Sequence, residues 1–516
     1  CCMVACRKNN GFGETRPNID YDTLTPLHEA ADFPIGVAIS YTPTMNDAKY
    51  LETVKRDFDA VTFDYHMKHG AIVQDNGTLD FSRADQMINK LGGIEVFGHT
   101  LGWHQNQNAN YLKQYAGLVA ISGEKLTNPG FEGGLANWSV WNTGNPAGTS
   151  TISAGSGPDE VRTGTGSMKV VNPVGYPGSQ WRVQVASQLF PTVVGRQYVI
   201  SYWVKAASAG GSIRMSTQDQ NNGNAQYQGD QTIGTAWQQI VWTITANSAQ
   251  TRFLFDMGQA ANTYFIDDAS FKEILPPSTG PQIAAKVDEA LNAYVTGMVN
   301  HFKSKVKAWD VVNELFADNG SIRTNDNTTQ ANDVFVWSHY MGRDYALKAF
   351  NYAKAADPNA ILYINDYGLE TNAQKLDSLI AFVNELKSKG AKVDGIGTQM
   401  HIFTTTPYAG IDDMMRKLAA TGLLVRISEL DVRTGGTAPG EQSFEAKANQ
   451  AVMYKYVIGS YLRHVPPAQR GGVTVWGLSD NYSWLYNNGV EHPLLYDQGY
   501  NRKPAYTSFL QALRGQ

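Results

Sequence analysis

The chain has 516 residues, enough for two to four domains at about 150 residues each. Its 47 acidic and 42 basic residues leave a net charge of −5, with no basic excess to hold a phosphate backbone, which speaks against a nucleic-acid binder. Aromatic residues make up 11% and charged residues only 17%, a profile that argues against disorder and for a well-packed chain with polar, uncharged loops.

All three cysteines, Cys1, Cys2 and Cys6, lie in the first six residues, so no disulfide or cysteine metal site is available to the rest of the chain. The run Met3-Val4-Ala5-Cys6 resembles a bacterial lipobox. Residues 1–5 then read as the tail of a signal peptide and Cys6 as the lipidated residue. Lipidation would tether a secreted bacterial protein to the periplasmic or outer cell surface. No run of about 18 apolar residues follows, so the anchor is the only membrane attachment expected. Residues 7–25 are polar and turn-rich, a linker.

From Phe33 short apolar runs at 35–39, 60–63 and 94–97 alternate with helical patterns near 46–57 and 82–91. Strands alternating with helices predict βα units and a parallel sheet. From about 122 to 275 the helical period disappears, and runs such as 198–204, 239–244 and 252–256 sit between Gly, Asn, Ser and Thr turns. That pattern predicts an all-β sandwich. A helix near 282–304 then restarts the βα rhythm, with strands at 306–312, 360–365, 393–398, 424–428 and 472–477. Three strands before the insert and five after it predict a (β/α)₈ TIM barrel, interrupted after strand 3 by the sandwich. The expected domains are 1–25 (leader), 26–121 and 276–516 (barrel), and 122–275 (insert). The absence of coiled-coil heptads favours a monomer.

Barrel enzymes carry their chemistry at the C-terminal ends of the strands. Glu314 ends strand 4 and Glu429 ends strand 7, on opposite sides of the barrel mouth. A carboxylate pair about 5–5.5 Å apart suits retaining glycoside hydrolysis. Taken alone, two such carboxylates also suit structural ion pairs. His99 and His104 could in principle bind metal, but no third ligand stands at helical spacing and there is no His-Glu-x-x-His.

These motifs resemble those of glycoside hydrolase family 10, the endo-β-1,4-xylanases, over roughly 33–121 and 276–515. In that resemblance Trp309-Asp310-Val311-Val312-Asn313-Glu314 supplies the general acid/base, Glu314, and Ile427-Ser428-Glu429-Leu430-Asp431 the nucleophile, Glu429. It also implies that Asn313 bonds the 2-OH of the reacting sugar, and that His401, from Gln399-x-His401, orients Glu429. His99, Trp103 and His104 would line the −1 subsite, and Lys68 would bind hydroxyls at −2 and −1. Trp476 and Trp484 would form an aromatic wall, with Tyr367 on the leaving-group side. No cofactor is implied for catalysis. One motif departs from the family: in Val61-Thr62-Phe63-Asp64-Tyr65-His66-Met67-Lys68, Asp64 stands for Glu and Tyr65 for an Asn that contacts the −2 sugar. The expected substrate is xylan or a xylo-oligosaccharide. The rivals are a related β-1,4-glucanase and a glycan-capturing lipoprotein without turnover.

The insert opens Asn128-Pro129-Gly130-Phe131-Glu132, has Trp138 after it, and closes Tyr264-Phe265-Ile266-Asp267-Asp268. It resembles carbohydrate-binding modules of the family 4, 9 and 22 type. The resemblance makes Glu132 and Asp268 candidate ligands of a structural Ca²⁺. Tyr176, Trp181, Tyr227 and Trp237 are candidate sugar platforms, each of which taken alone suits core or rim better. A protein–protein module is the alternative.

Overall fold

The computed structural model describes residues 25–118, 120–275, 279–325 and 333–516. Cys6 and the leader lie outside the described residues. The chain divides into two compact units, one from Gly117 to Thr279 and the other made of the described residues before and after it.

In the second of these units eight parallel strands close on themselves. They are β1 (Ile35–Ile39), β2 (Ala60–Phe63), β3 (Glu95–Gly98), β4 (Val306–Asn313), β5 (Ile361–Asp366), β6 (Gly395–Thr398), β7 (Leu424–Arg433) and β8 (Arg470–Val475). Each pairs with the next, and β8 pairs with β1 through Ile35↔Val473. Every residue of β1 and β2 is buried. Parallel strands covered on both faces need such continuous apolar runs.

The helix at Ser82–Leu91 turns Ala84, Met87 and Leu91 inward and stops at Gly92, whose φ is 69°. The helix expected at 46–57 is two helices, Tyr41–Asn46 and Ala48–Asp57. The break is Asp47, whose carboxylate accepts the Tyr50 amide at 3.1 Å and so caps a new N-terminus. β7 runs five residues past its expected end, because its outer half gains a partner in the short strand His401–Phe403.

Two glycines let strands press together beneath the site. A Cβ at Gly98 would stand 2.1 Å from the Trp309 ring, and one at Gly397 would stand 2.3 Å from Asn365 Oδ1. Among the described residues no helix is long and apolar enough to cross a membrane.

The other unit is a sandwich of two antiparallel sheets. One has the order 238–245, 197–206, 262–275, 167–172, 151–155, and the other 226–233, 211–218, 250–256, 183–187, 138–143. Alternate residues of Gln197–Ala206 are buried, as a half-covered strand requires. The core between the sheets holds Phe131, Trp138, Tyr198, Tyr202, Phe253, Phe255 and Phe271. Trp138 is fixed by its indole N–H, which donates to the Asn128 carbonyl at 3.1 Å.

Candidate active site

The C-terminal ends of the barrel strands border a cleft of about 1020 Å³. Its lining includes Lys68, His99, Trp103, Asn313, Glu314, Tyr367, Gln399, His401, Glu429, Trp476 and Trp484. Of the barrel residues expected to bind substrate, His104 is not part of this lining. It lines a smaller neighbouring cavity together with Asn313 and Glu314.

Glu429 is 5% exposed. Its Oε1 accepts from Asn365 Nδ2 at 2.9 Å, and its Oε2 lies 3.2 Å from His401 Nε2. Burial works to raise its carboxyl pKa. The His401 hydrogen bond, with the charges of His99, His401 and Lys68, outweighs burial and holds the carboxyl below the usual range. His401 is set in turn by Asp431, 2.7 Å from Nδ1. Burial opposes the imidazolium, but Asp431 and Glu429 on its two sides raise the histidine to about 10. Asp431 also accepts the Trp484 indole N–H at 3.0 Å.

Glu314 follows β4 with φ 52°, a left-handed backbone that turns it out of the strand. Its Oε1 accepts from Gln399 Nε2 at 3.0 Å. Asn365, wholly buried, links the two glutamate environments. Its amide donates to Asn313 Oδ1 and to Glu429 Oε1, both at 2.9 Å, and accepts from Ser428 at 2.7 Å. The sequence places Asn365 at a strand end, but nothing in the local pattern marks it as this junction.

On one wall Arg323 donates from Nε to the Glu314 carbonyl at 3.0 Å and from Nη2 to the Tyr367 hydroxyl at 2.7 Å. Tyr367 donates to Asp318 at 2.7 Å, and the Lys375 ammonium stands 3.2 Å from the Tyr367 ring centre. Lys375 is paired with Asp366 at 2.8 Å, and burial lifts the Asp366 carboxyl to about 6. Opposite, His99 meets Asp310 at 2.9 Å and the edge of Trp476 at 5.3 Å. Lys68 lies 4.6 Å from the Trp103 ring centre, and burial lowers its pKa. Trp484 is 60% exposed at the rim, with the Arg433 guanidinium 5.1 Å from its ring centre.

The departure at 64–65 has a geometric outcome. Asp64 lines the cleft and accepts from Ser40 at 2.5 Å. Tyr65 does not line the cleft; it is 39% exposed and packs edge-on against His66.

The sandwich presents a second candidate surface. On the outer face of the 226–233/138–143 sheet, Arg214 donates to Asp256 from Nε at 3.0 Å and from Nη2 at 2.9 Å. Gln184 donates to Asp256 at 2.7 Å, and Asn142 donates to Gln184 at 2.8 Å. Arg214 lies under the ring of Tyr227, Arg182 beside Trp181 and Tyr176, and Arg252 beside Trp141. Trp237 does not share this arrangement. It precedes strand 238–245 and packs with Lys205 of the other sheet. Trp141, unmarked in the sequence, is a fourth aromatic residue beside Tyr176, Trp181 and Tyr227.

Glu132 accepts from the backbone and hydroxyl of Thr165, and Asp268 is paired with Arg162 at 2.6 Å and Thr163 at 2.7 Å. Among the described residues no group of three or more His, Cys, Asp or Glu side chains is placed to hold a metal.

Comparison with known proteins matches residues 25–128 and 273–512, two thirds of the chain, to glycosyl hydrolase family 10. Residues 123–261 match a carbohydrate binding domain. The chain is 37% identical over 244 residues to endo-1,4-beta-xylanase A of Cellvibrio japonicus, covering 43% of this chain and 39% of that protein. It is 34% identical over 240 residues to endo-1,4-beta-xylanase 1 of Humicola insolens, covering 46% and 52%. It is 36% identical over 227 residues to exoglucanase XynX of Acetivibrio thermocellus, covering 42% and 19%. The matches thus span about half or less of each relative. The fold resembles that of native xylanase 10B from Thermotoga maritima, with a TM-score of 0.56 at 22% identity over 95% of this chain and 98% of that one.

Proposed function

The chain belongs to glycosyl hydrolase family 10, and from that premise we propose that it is a retaining endo-β-1,4-xylanase whose insert binds its polysaccharide substrate. One observation carries the assignment of roles. Glu429 and Glu314 border one cleft, and only Glu429 lies against a histidine raised to about 10 by its two carboxylate neighbours.

In this mechanism the Glu429 carboxylate attacks the anomeric carbon while the bond to the leaving sugar breaks. Glu314 gives its proton to the departing oxygen. A water then attacks the anomeric carbon, Glu314 takes the water's proton, and the ester to Glu429 breaks. Two displacements at one carbon return the original configuration. Asn313, held by Asn365, is set to meet the 2-OH, a contact that strengthens as positive charge develops on the ring. Trp476 and Trp484 offer aromatic faces to the pyranose C–H faces, while Lys68 and His99 hold hydroxyls. The reaction needs no metal or organic cofactor.

The deciding experiment is product analysis on xylan and on β-1,4-glucan, with Glu429→Ala as control and the product anomer read by NMR. Short β-configured xylo-oligosaccharides, absent with the variant, are expected. Faster cleavage of glucan would transfer the assignment to a β-1,4-glucanase, a reading favoured by the withdrawal of Tyr65 from the cleft.

We further propose that the Trp141, Trp181, Tyr176 and Tyr227 surface is the insert's glycan face, which raises the local concentration of polymer for the barrel. Glu132 and Asp268 are the proposed Ca²⁺ ligands of the insert. Their carboxylates both approach Gly130, with the Thr163 and Thr165 hydroxyls beside them, an oxygen set that suits a hard cation once Arg162 leaves Asp268. Melting with and without a chelator tests this: an unchanged transition rejects the cation. Cys6 is proposed to carry the lipid that places a monomeric enzyme at the cell surface. Loss of palmitate labelling in Cys6→Ala is the expected result.

A further inference from the structure

His104 is neither exposed to the main cleft nor satisfied by the protein around it. Its Nδ1 is buried and has no hydrogen-bond partner among the described residues. Its Nε2 lies 3.3 Å from the amide nitrogen of Gln105, which donates to it, so the ring's own proton sits on Nδ1. The backbone is pinned on both sides: Phe335 N–H donates to the His104 carbonyl, and the Trp337 indole to the Trp103 carbonyl, each at 2.9 Å.

The cavity that His104 borders is also lined by Asn313, Glu314, Arg323 and Tyr345, and measures about 10 Å³. That is about the room one water molecule needs, and a buried water persists where two or more polar groups meet it. A buried N–H without a partner is costly, so a water there satisfies the ring. Burial, with Arg323 and Lys375 adding to it, lowers His104 to about 3. The ring therefore stays neutral and donates without competing for the proton that Glu314 handles.

We propose that His104 and the Glu314 carboxyl share one ordered water in this cavity, and that His104 thereby positions Glu314 for proton transfer to the leaving sugar. His104 is a positioning residue, acting from behind the carboxyl and not on the substrate. The inference rests on the assignment of Glu314 as acid/base.

The test compares kcat/KM on xylan with kcat/KM on 2,4-dinitrophenyl β-xylobioside, whose leaving group departs without a proton. His104→Phe, or His104→Ala should Phe not fold, is expected to lose at least tenfold more on xylan than on the aryl substrate. His104→Asn, whose amide nitrogen takes the place of Nδ1, is expected to recover most of that difference. Equal losses on both substrates, or no gain of Asn over Phe, overturn the inference. Glu314→Ala separates the two levels: if it too fails to discriminate between the substrates, the acid/base assignment falls by itself. If it discriminates and His104→Phe does not, only the role of His104 falls.

Discussion

Asp431 stands 2.7 Å from Nδ1 of His401, and this bond fixes which face the imidazole shows to Glu429. With Nδ1–H given to Asp431, Nε2–H is left for Glu429 at 3.2 Å. Asp431 keeps the ring charged; the ring keeps Glu429 ionised.

Asp431→Asn is therefore expected to raise the acid limb of the kcat/KM profile. The carboxyl of Glu429 is lowered in the native protein, so its ionised form is secure above the ordinary glutamate range and is lost as pH falls through the lowered value. Without the charge on His401, burial dominates and the limb moves upward by about one unit or more. A limb that stays in place would break the link between Asp431 and Glu429.

Asn365→Ala removes the amide that joins Asn313 to Glu429. A buried hydrogen bond to a charged group is worth about 1.5–3 kcal/mol, so a loss of roughly 10- to 150-fold in kcat/KM is expected. Gly397→Ala should act on the same amide from the neighbouring strand, since its Cβ would press within 2.3 Å of Asn365 Oδ1. Steady-state kinetics with a melting curve for each variant checks both.

At the rim, Trp484 is largely exposed while its indole bonds Asp431. Trp484→Ala should raise KM for xylo-oligosaccharides about tenfold through lost stacking, a contribution of about 1–1.5 kcal/mol. Trp484→Phe keeps most of the ring and loses the bond to Asp431, so its effect should fall on kcat. Equal KM values for the two variants would contradict the stacking role.

In the insert, Arg214→Met strands the fully buried Asp256. Uncompensated buried charge costs about 3–5 kcal/mol; Arg214 is itself partly exposed, which places the expected loss near the lower end. Calorimetry of the full chain should show the insert's transition moved to lower temperature.

The parts legible in the sequence were those written locally. β1 and β2 were bounded by their apolar runs alone, and the helix at 82–91 was placed by its helical pattern. Glu314 and Glu429 could be singled out because each ends a strand within a recognisable motif. Asn365, Asp318 and Arg323 could not, because what they do depends on neighbours that only barrel closure supplies. Which of the insert's aromatic residues share a face was equally hidden: aromatic identity says nothing of which sheet a residue packs against, and Trp237 packs with Lys205. Tyr65 shows the same limit over a few residues, where Asp64 and Lys68 line the cleft and Tyr65 does not.

The insert begins and ends on paired strands, Ile121 opposite Ile274 and Ala120 opposite Leu275. Its entry and exit are thus clasped a single strand spacing apart. A module built this way can be lodged in a host chain as a cartridge. The host has to close only a short gap, however long the detour, and the entropy of joining its two halves is spent within the guest's own sheet. Excision at this clasp, with a few residues joining the stumps, is the natural cut for transplanting either half into another enzyme.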